Sequence, residues 1–539
     1  MIINVVLDVE RMTITPHGLK DFVWPLTRKE VLAMRDTILP PLVYAARGHS
    51  EADGELLSIV LPHFIKEAME LYQAHALCRR FSDLGYRPIV PAQSCLLPAL
   101  ATGIAPSSSP FLESLLSGPS RAERWSWIPP ALRRIWRSVP WNGLSLSGLR
   151  SIDPKCDIVA LQASPLINCH ARAESDIVKY SSLKDWFNPL DGWSERSISR
   201  LVTSTATINA AMDTVKIGFA AGNEKLPDYL ASYLRAWLVK ATGLARCHLS
   251  TLLQQPDRLP RRLWTGTGGS IWARILRHAA RRLGGVVTGH DHGVGTGHLV
   301  SSYPTLVEFE SCDTFVTFTR AQATALQRGL RDDLLIPTKA PEIIALPSCC
   351  RPAALTKIQE RKSRTRLSVI RKVMYPSSFY NGERMHFGVR IPDPVAVDWE
   401  GRLFSHLGAW NYKVLHKPHP HSVALPPAAF QSRLGVRILS EPFERVIDQA
   451  DVLIFAQPQS TAFVTALTSD KPIVFVDLGL FKWVPEAYEM LKRRCRVVRG
   501  WFDKENRAQV NWDELREAIE ESRDLKDPSF VETYLKYWE

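Results

Sequence analysis

Two kinds of sequence feature are missing from this chain: paired cysteines and long apolar runs. Its nine cysteines form no Cys-x-x-Cys motif, and Cys349 and Cys350 are adjacent, which is a poor geometry for a mutual bridge. This usage is typical of reduced, buried thiols and not of a disulfide framework. No apolar run reaches the ~18–20 residues that span a membrane. Residues 1–10 also lack the basic flank and cleavage site of a signal peptide. We therefore expect a cytoplasmic protein.

Signatures of nucleic-acid binding are missing as well. The chain has no RNP-like aromatic motif, no helix-turn-helix signal and no basic low-complexity tail. Its net charge of +12, from 67 Lys and Arg against 55 Asp and Glu, favours anionic ligands such as nucleotides, acidic glycans or anionic lipid heads. We therefore expect no nucleic-acid partner, and an anionic ligand whose class the charge does not decide.

A charge-dense segment divides the chain. At 539 residues the chain is too long for one ordinary core. Residues 351–366 carry many charges and few large apolar side chains, which predicts a linker. Residues 1–350 are then an N-terminal α/β domain with helical insertions, and residues 367–539 a second domain. Within the first, the Ser-, Pro- and Gly-rich stretch 101–120 is expected to be a loop.

Both domains show short apolar runs that alternate with longer amphipathic segments. In the first, we predict strands at Ile2–Leu7, Ile158–Leu161, Leu263–Gly266, Val286–Thr288 and Thr314–Thr317, and helices at Ser197–Ala220, Leu226–Thr242 and Ser270–Leu283. In the second, we predict strands at Val369–Tyr375, Tyr412–His416, Val436–Leu439, Val452–Phe455 and Ile473–Val476, and helices at Trp399–Leu407, Phe443–Asp448, Thr461–Thr468 and Trp512–Ser522. In the helix at 270–283, the arginines lie largely off the apolar stripe. The alternation predicts an α/β protein with two Rossmann-like domains that face each other across a cleft.

Two glycine-rich loops follow strands of the first domain. Gly266, Gly268 and Gly269 precede a helix whose N-terminus can hold an anion, although Ile271 replaces the third glycine of the dinucleotide fingerprint. They either contact the substrate or make a tight strand–helix turn.

The second loop, residues 288–298, places Asp291 and His292 at the end of a strand, beside Gly293. Asp291 is a candidate base or nucleophile, and His292 a candidate acid/base or phosphate partner. The alternative is an Asx-type turn with a satisfied histidine. His290, His292 and His298 also cluster here, but no Cys-x-x-Cys or His-Glu-x-x-His motif completes a zinc site. We expect no metal.

Two motifs of the second domain fit a phosphate. His416-Lys-Pro-His-Pro-His follows a strand, so that Lys417 and His419 form a rigid cationic corner with Pro420. Ser460 and Thr461 begin a helix, where a hydroxyl can cap the helix and also face a phosphate.

The order of these four motifs resembles bacterial surface-polysaccharide transferases of the GT-B fold, namely the capsule and O-antigen β-Kdo transferases. It is more distantly similar to the CDP-glycerol glycerophosphotransferases. The resemblance covers about residues 263–476 and rests on the order and context of short motifs. It implies that the N-terminal domain binds the acceptor and the C-terminal domain binds a nucleotide-sugar.

The resemblance also implies roles for the residues. His419 and Pro420, with Lys417 beside them, would contact the cytidine nucleotide, and Ser460 and Thr461 the donor phosphate. Asp291 would be the nucleophile of a retaining glycosyltransferase, whereas the glycerophosphate enzymes imply His292 as the base. Because an Asp precedes the His-Gly pair, we favour a CMP-activated acidic sugar such as Kdo, and neither a metal nor another cofactor is implied.

Several alternatives remain open at this stage. They are a CDP-glycerol-type transferase, a sugar-nucleotide epimerase and a non-catalytic anion-binding surface module. The acceptor is expected to be a glycan or glycolipid. The stretch 131–137 interleaves arginines with Leu132, Ile135 and Trp136, which predicts a peripheral contact with anionic lipid at the inner face of the plasma membrane. An ordinary helix with a solvated basic face explains the same pattern.

Overall fold

The computed structural model describes residues 3–48, 51–91, 94–107, 109–119, 158–161, 164–174, 178–190, 204–291, 297–301, 303–332, 339–346, 369–382 and 391–535. The predicted linker 351–366, the basic stretch 131–137, and the residues His292 and Gly293 lie outside this part of the chain. The domain boundaries therefore stay a prediction. Among the described residues, no helix is both long and apolar enough to cross a membrane.

The strands are numbered in chain order. They are β1 Ile3–Val6, β2 Ile14–Thr15, β3 Gly18–Leu19, β4 Tyr86–Ile89, β5 Ile158–Leu161, β6 Val178–Ser181, β7 Arg262–Thr265, β8 Val286–His290, β9 Leu299–Val300, β10 Thr314–Thr317, β11 Glu342–Ala345, β12 Lys372–Pro376, β13 Lys413–Lys417, β14 Arg437–Ile438, β15 Val452–Phe455, β16 Ile473–Asp477, β17 Lys482–Trp483, β18 Arg496–Phe502 and β19 Ala508–Val510.

The α-helices are numbered in the same way. They are α1 Arg28–Gly48, α2 Glu51–Asp83, α3 Leu96–Ala101, α4 Pro110–Ser117, α5 Pro165–Glu174, α6 Thr205–Ala221, α7 Asp228–Leu253, α8 Ile271–Arg282, α9 Tyr303–Val307, α10 Arg320–Asp332, α11 Asp393–Ala409, α12 Ala428–Ser432, α13 Phe443–Val446, α14 Thr461–Thr468, α15 Pro485–Arg494, α16 Trp512–Glu521 and α17 Ser529–Tyr534.

Two parallel sheets carry the fold. The first has the order β11-β10-β8-β7-β5-β6, and every pairing in it is parallel. The second has the order β14-β13-β12-β15-β16-β18-β19, which is the 3-2-1-4-5-6 order of a Rossmann fold with one antiparallel edge strand, β19. The prediction of an α/β protein with two Rossmann-like domains is confirmed.

The carboxyl edges of the two sheets face each other across a cleft. Strand β9 follows β8 of the first sheet, strand β17 follows β16 of the second, and β9 pairs antiparallel with β17. The Val484 N–H also donates to the His298 carbonyl oxygen at 3.0 Å. Loops that leave the carboxyl ends of both sheets are therefore joined directly. This two-Rossmann arrangement is the GT-B type.

The N-terminal residues do not join either large sheet. Among the described residues, strand β1 pairs with β4 alone, in a two-stranded parallel sheet. The hairpin β2–β3 packs on α11 of the second half, where the buried Asp398 accepts the Leu19 N–H at 3.0 Å. Gly18 allows this close approach, because a Cβ there would lie 2.3 Å from Asp398 Oδ1. The start of the chain therefore packs against the second half.

Helix α8 is more deeply buried than its pattern predicts. Arg274 and Arg277 are 1% and 0% exposed, so the expectation that the arginines lie off the buried face is wrong for these two. Arg274 donates to the carbonyl oxygens of Ile59 and Val307 at 3.1 and 2.8 Å. A guanidinium has five donors, and carbonyls of the packed layers satisfy those of Arg274. The long helices α1 and α2, which the patterning analysis did not identify, form part of this helical layer.

Candidate functional site

The candidate nucleotide site lies at the carboxyl edge of the second sheet. In a 3-2-1-4-5-6 sheet the strand order reverses between β12 and β15, and ligands bind in the crevice outside that point. The loops after β12, β13 and β15 meet there. Strand β13 ends at Lys417 and the loop after it carries His419 and Pro420, whereas the loop after β15 leads to Ser460 and Thr461. Residues about 40 positions apart in sequence are thus brought to one edge by the strand order.

Lys417 and His419 differ in their surroundings. Lys417 is 7% exposed, and its ammonium donates to the Pro418 carbonyl oxygen at 2.7 Å. Burial lowers the pKa of Lys417, and the carboxylates of Glu444 and Glu441 oppose that shift. His419 is half-buried, accepts the His421 N–H at 3.1 Å and lies 5.2 Å from the Phe379 ring. A buried ammonium and a half-buried imidazole can hold an anion and a planar group.

Ser460 is the N-cap of helix α14. Its hydroxyl accepts the Phe463 N–H at 3.0 Å, as the sequence predicts for an N-cap. Thr461 is exposed at the first position of the helix. The helix start therefore presents one hydroxyl and uncapped N–H groups toward the same edge.

A buried polar network lies under the Lys417 corner, and among its residues only His416 stands in one of the sequence motifs. The Tyr380 hydroxyl donates to Glu400 Oε2 at 2.6 Å, and that oxygen lies 3.9 Å from His416 Nε2. His416 Nε2 is in turn 3.1 Å from the Ser377 hydroxyl. Burial raises the pKa of Glu400 to about 8 and lowers that of His416 to about 3. At neutral pH both groups are therefore predominantly uncharged.

A second buried carboxylate fixes the neighbouring loop. Asp393, at the start of α11, accepts the N–H groups of Asn381 and Gly382 at 2.8 and 2.7 Å. Burial raises the pKa of Asp393 to about 6, and these two N–H groups oppose the rise. The loop after β12 is therefore held at both Tyr380 and Gly382.

Asp291 lies at the carboxyl end of β8, opposite the second sheet. It is 3% exposed, and its N–H donates to the Val316 carbonyl oxygen at 2.9 Å. The preceding residue, His290, is completely buried and contacts the Thr265 carbonyl oxygen at 3.3 Å through Nδ1. Because a carbonyl only accepts, Nδ1 carries the proton and Nε2 accepts from His170 Nδ1 at 2.9 Å. The sequence pattern did not single out His170, which lies on α5.

His298, which the sequence groups with a candidate metal cluster, lies in the core between the two halves. It is 1% exposed and stacks on Trp483, with ring centroids 5.6 Å apart. Burial lowers its pKa to about 4. Among the described residues, no group of three His, Cys, Asp or Glu side chains could hold a metal ion.

The glycine-rich start of α8 already holds a carboxylate. The Gly268 N–H donates to Glu308 Oε2 at 2.7 Å, and Arg277 pairs with the same oxygen at 2.9 Å. A Cβ on Gly268 would lie 2.2 Å from the Val307 carbonyl oxygen. At Gly268 the geometry therefore favours a role in packing over contact with a substrate. Gly266 is more open, since a Cβ there would find nothing closer than Ile167 Cδ1 at 3.7 Å. Substrate contacts of Gly266 and Gly269 stay predictions.

Comparison with known proteins adds only distant likenesses. No family model matches the chain, and no curated protein matches it. The structure of UDP-N-acetylglucosamine 2-epimerase from Rickettsia bellii is 12% identical with a TM-score of 0.37, and the match covers 70% of this chain and 93% of that one. MurG from Acinetobacter baumannii is 13% identical with a TM-score of 0.34, over 71% and 94% of the two chains. These scores are low, so the fold assignment rests on the strand orders described above.

Proposed function

We propose that this chain is a GT-B glycosyltransferase of bacterial surface-polysaccharide biosynthesis. It transfers a sugar such as Kdo from a CMP-activated donor to a glycan or glycolipid acceptor. The nucleotide lies on the second sheet and the acceptor on the first.

One observation carries the proposal. Strands β13 and β15, on either side of β12, lead at their carboxyl ends to Lys417 and His419 and to the Ser460 helix start, at the point where the second sheet reverses its strand order. This is the place at which a Rossmann-like sheet binds nucleotides. Across the cleft, the pair β9–β17 joins that half to the loop that begins at Asp291. The choice of CMP and Kdo rests on the resemblance of the motifs.

Each residue has a defined part in this proposal. His419 and Pro420 contact the cytidine nucleotide. Lys417, Ser460 and Thr461 stabilise the phosphate of the leaving nucleotide. Asp291 attacks the sugar from the other half. No metal is needed, because an ammonium and a helix N-terminus stabilise the leaving phosphate.

Calorimetry with CMP, CDP, UDP and GDP tests the nucleotide site. We expect the unmodified protein to bind a cytidine nucleotide more tightly than UDP or GDP. His419→Ala is expected to weaken that binding about tenfold, because it removes one contact worth roughly 1–1.5 kcal/mol.

The control is His17→Ala, an exposed histidine in the β2–β3 turn, away from the carboxyl edge. This variant should bind as the unmodified protein does. Equal affinity in the unmodified protein and His419→Ala, with both folded, would contradict the assignment of the nucleotide site.

A further inference from the structure

Ser377 sits at the centre of the candidate nucleotide site, immediately after the last residue of β12. Strand β12 is the strand from which the sheet order turns to β13 on one side and to β15 on the other. The Ser377 N–H donates to the Lys417 carbonyl oxygen at 3.1 Å, so the two loops are fixed to each other. Ser377 is 8% exposed, and its hydroxyl contacts His416 Nε2 at 3.1 Å.

The tautomer of His416 decides what the Ser377 hydroxyl can do. His416 is completely buried among Phe404, Phe430 and Tyr375, and its Nδ1 has no hydrogen-bond partner among the described residues. A buried donor without a partner is rarer than an under-satisfied acceptor, which favours a bare Nδ1 and a protonated Nε2. Glu400 Oε2, 3.9 Å from Nε2, favours the same tautomer.

With its proton on Nε2, His416 donates to the Ser377 oxygen. The hydroxyl proton of Ser377 is then available for another acceptor. The described structure supplies no second partner for that hydroxyl, and Ser377 lies at the carboxyl edge between the strands that lead to Lys417 and to Ser460. An acceptor that arrives with negative charge, such as a phosphate oxygen, completes the arrangement.

We infer that Ser377 binds the phosphate of the nucleotide by donating its hydroxyl proton, and that His416 is the positioning residue that keeps this hydroxyl in the donating orientation. Glu400, held by the Tyr380 hydroxyl, lies near the same nitrogen, Nε2, that contacts Ser377. The inference rests on the proposed function of the site, and it identifies the phosphate as the group that Ser377 recognises.

Calorimetry of Ser377→Ala with two probes, CMP and cytidine, tests the inference. A hydrogen bond to a charged phosphate is strong, so the affinity for CMP should fall by about tenfold or more. The affinity for cytidine, which lacks the phosphate, should stay unchanged. The matched control is Ser405→Ala, because that hydroxyl already donates to the Gly401 carbonyl oxygen at 2.8 Å. Ser405→Ala should bind both probes as the unmodified protein does.

Two substitutions at His416 separate positioning from packing. His416→Gln keeps an N–H donor near Ser377 and should retain most of the affinity for CMP. His416→Met fills a similar volume without a donor, and should weaken CMP binding as Ser377→Ala does while leaving cytidine binding unchanged. Thermal unfolding of each variant establishes that it is folded.

The outcomes distinguish this inference from the proposed function. If the unmodified protein binds no cytidine nucleotide, both are overturned. If it binds CMP and Ser377→Ala binds CMP equally well, only the role of Ser377 is overturned. If Ser377→Ala loses CMP and cytidine alike, the residue shapes the site as a whole and does not recognise the phosphate. Equal loss in His416→Gln and His416→Met would overturn the positioning role.

Discussion

The Asp291 carboxyl group combines deep burial with a position immediately after the carboxyl end of β8. Removing a carboxylate from water is costly, so a chain places one at a buried strand end only where other groups or a substrate offset that cost. The residue before it, His290, is held by Thr265 and His170, which fixes the end of β8. A nucleophile needs this kind of fixed position, because misplacement by ~1 Å lowers rates steeply.

If Asp291 is the nucleophile, Asp291→Asn should abolish sugar transfer and leave binding of CMP intact. The substitution is nearly isosteric and removes only the charge. In the unmodified protein, a covalent sugar adduct on Asp291 should accumulate when the donor is supplied without an acceptor. Intact-mass spectrometry after incubation with the CMP-sugar measures the adduct.

The variant His292→Ala provides the contrasting result. A glycerophosphate-type mechanism, with His292 as base, forms no adduct and makes His292→Ala the more damaging change. If Asp291→Asn is active and no adduct forms, His292 and not Asp291 is the catalytic residue. The donor is then CDP-linked and not a CMP-sugar.

The sequence could indicate the part of the candidate nucleotide site that lies in short motifs, but not the residues that support it. Lys417, His419 and Ser460 stand in short motifs with prolines or helix starts, and such motifs are visible without a structure. Ser377, Glu400 and His416 act through contacts between three separate elements. Glu400 lies in the middle of helix α11 between Asp398 and Arg402, so its position in the sequence does not set it apart.

At the scale of elements, the glycine-rich loop before α8 binds a carboxylate of the protein itself. The Gly268 N–H donates to the Glu308 carboxylate, and Arg277 pairs with the same group. Both Arg277 and Glu308 are buried. Truncating one partner of such a pair is costly because the other charge stays buried. The close packing of Gly268 against Val307 belongs to the same arrangement.

Gly268→Ala is expected to lower the free energy of unfolding by about 1–3 kcal/mol, since the added methyl overlaps the Val307 carbonyl oxygen. The matched control is Gly408→Ala in helix α11, where a Cβ meets nothing within 4 Å. That variant should be neutral, or more stable by roughly 0.5–1 kcal/mol, because alanine is the better helix former. Denaturant unfolding compares the two. Equal free energies of unfolding in the variants Gly268→Ala and Gly408→Ala would contradict the packing role of Gly268.

The strands were easier to predict than the helices, for a physical reason. A parallel strand buried on both faces is a short continuous apolar run, and β5, β10 and β15 lie where such runs predict them. Helix α4 lies within residues 101–120, where the Ser, Pro and Gly content predicts a loop. That content outweighed the apolar residues that form the helix. The buried arginines of α8 donate to carbonyl oxygens of residues that are distant in sequence. The periodicity of apolar residues does not reveal such partners.

At the scale of the whole molecule, the two halves share a core. Leu299, Val316 and Phe318 of the first half belong to the same apolar cluster as Trp483 and Phe530 of the second. Helix α17 returns from the end of the second half to pack against α10 of the first. His298 stands in this shared core without a charge, so its ionisation and the contact between the halves are coupled.

Acid should weaken this contact. The pKa of His298 is about 4 in the folded protein against 6.5 for the usual value, because burial disfavours the imidazolium. The stability that depends on neutral His298 is complete above pH ~6.5 and is lost as the pH falls toward ~4, by about 3 kcal/mol in total.

Denaturant unfolding at pH 7 and pH 4.5 measures this loss. His298→Phe keeps an aromatic ring against Trp483 and removes the titration, so its loss of stability on acidification should be smaller than that of the unmodified protein. Equal losses in both proteins would show that the histidine does not carry the effect.

The ribbon formed by β9 and β17 makes the chain that follows Asp291 a covalent link between the first sheet and the second half. The loop leaves the first sheet at Asp291 and is already bonded to the second half at His298. Between Asp291 and Gly297 the chain spans at most ~20 Å, because each residue contributes roughly 3.3–3.6 Å when extended. While the ribbon holds, the end of β8 and the second half cannot part beyond that reach. If Asp291 is the nucleophile and the second sheet binds the donor, as proposed, any opening of the cleft acts on the strand end that holds the attacking carboxylate.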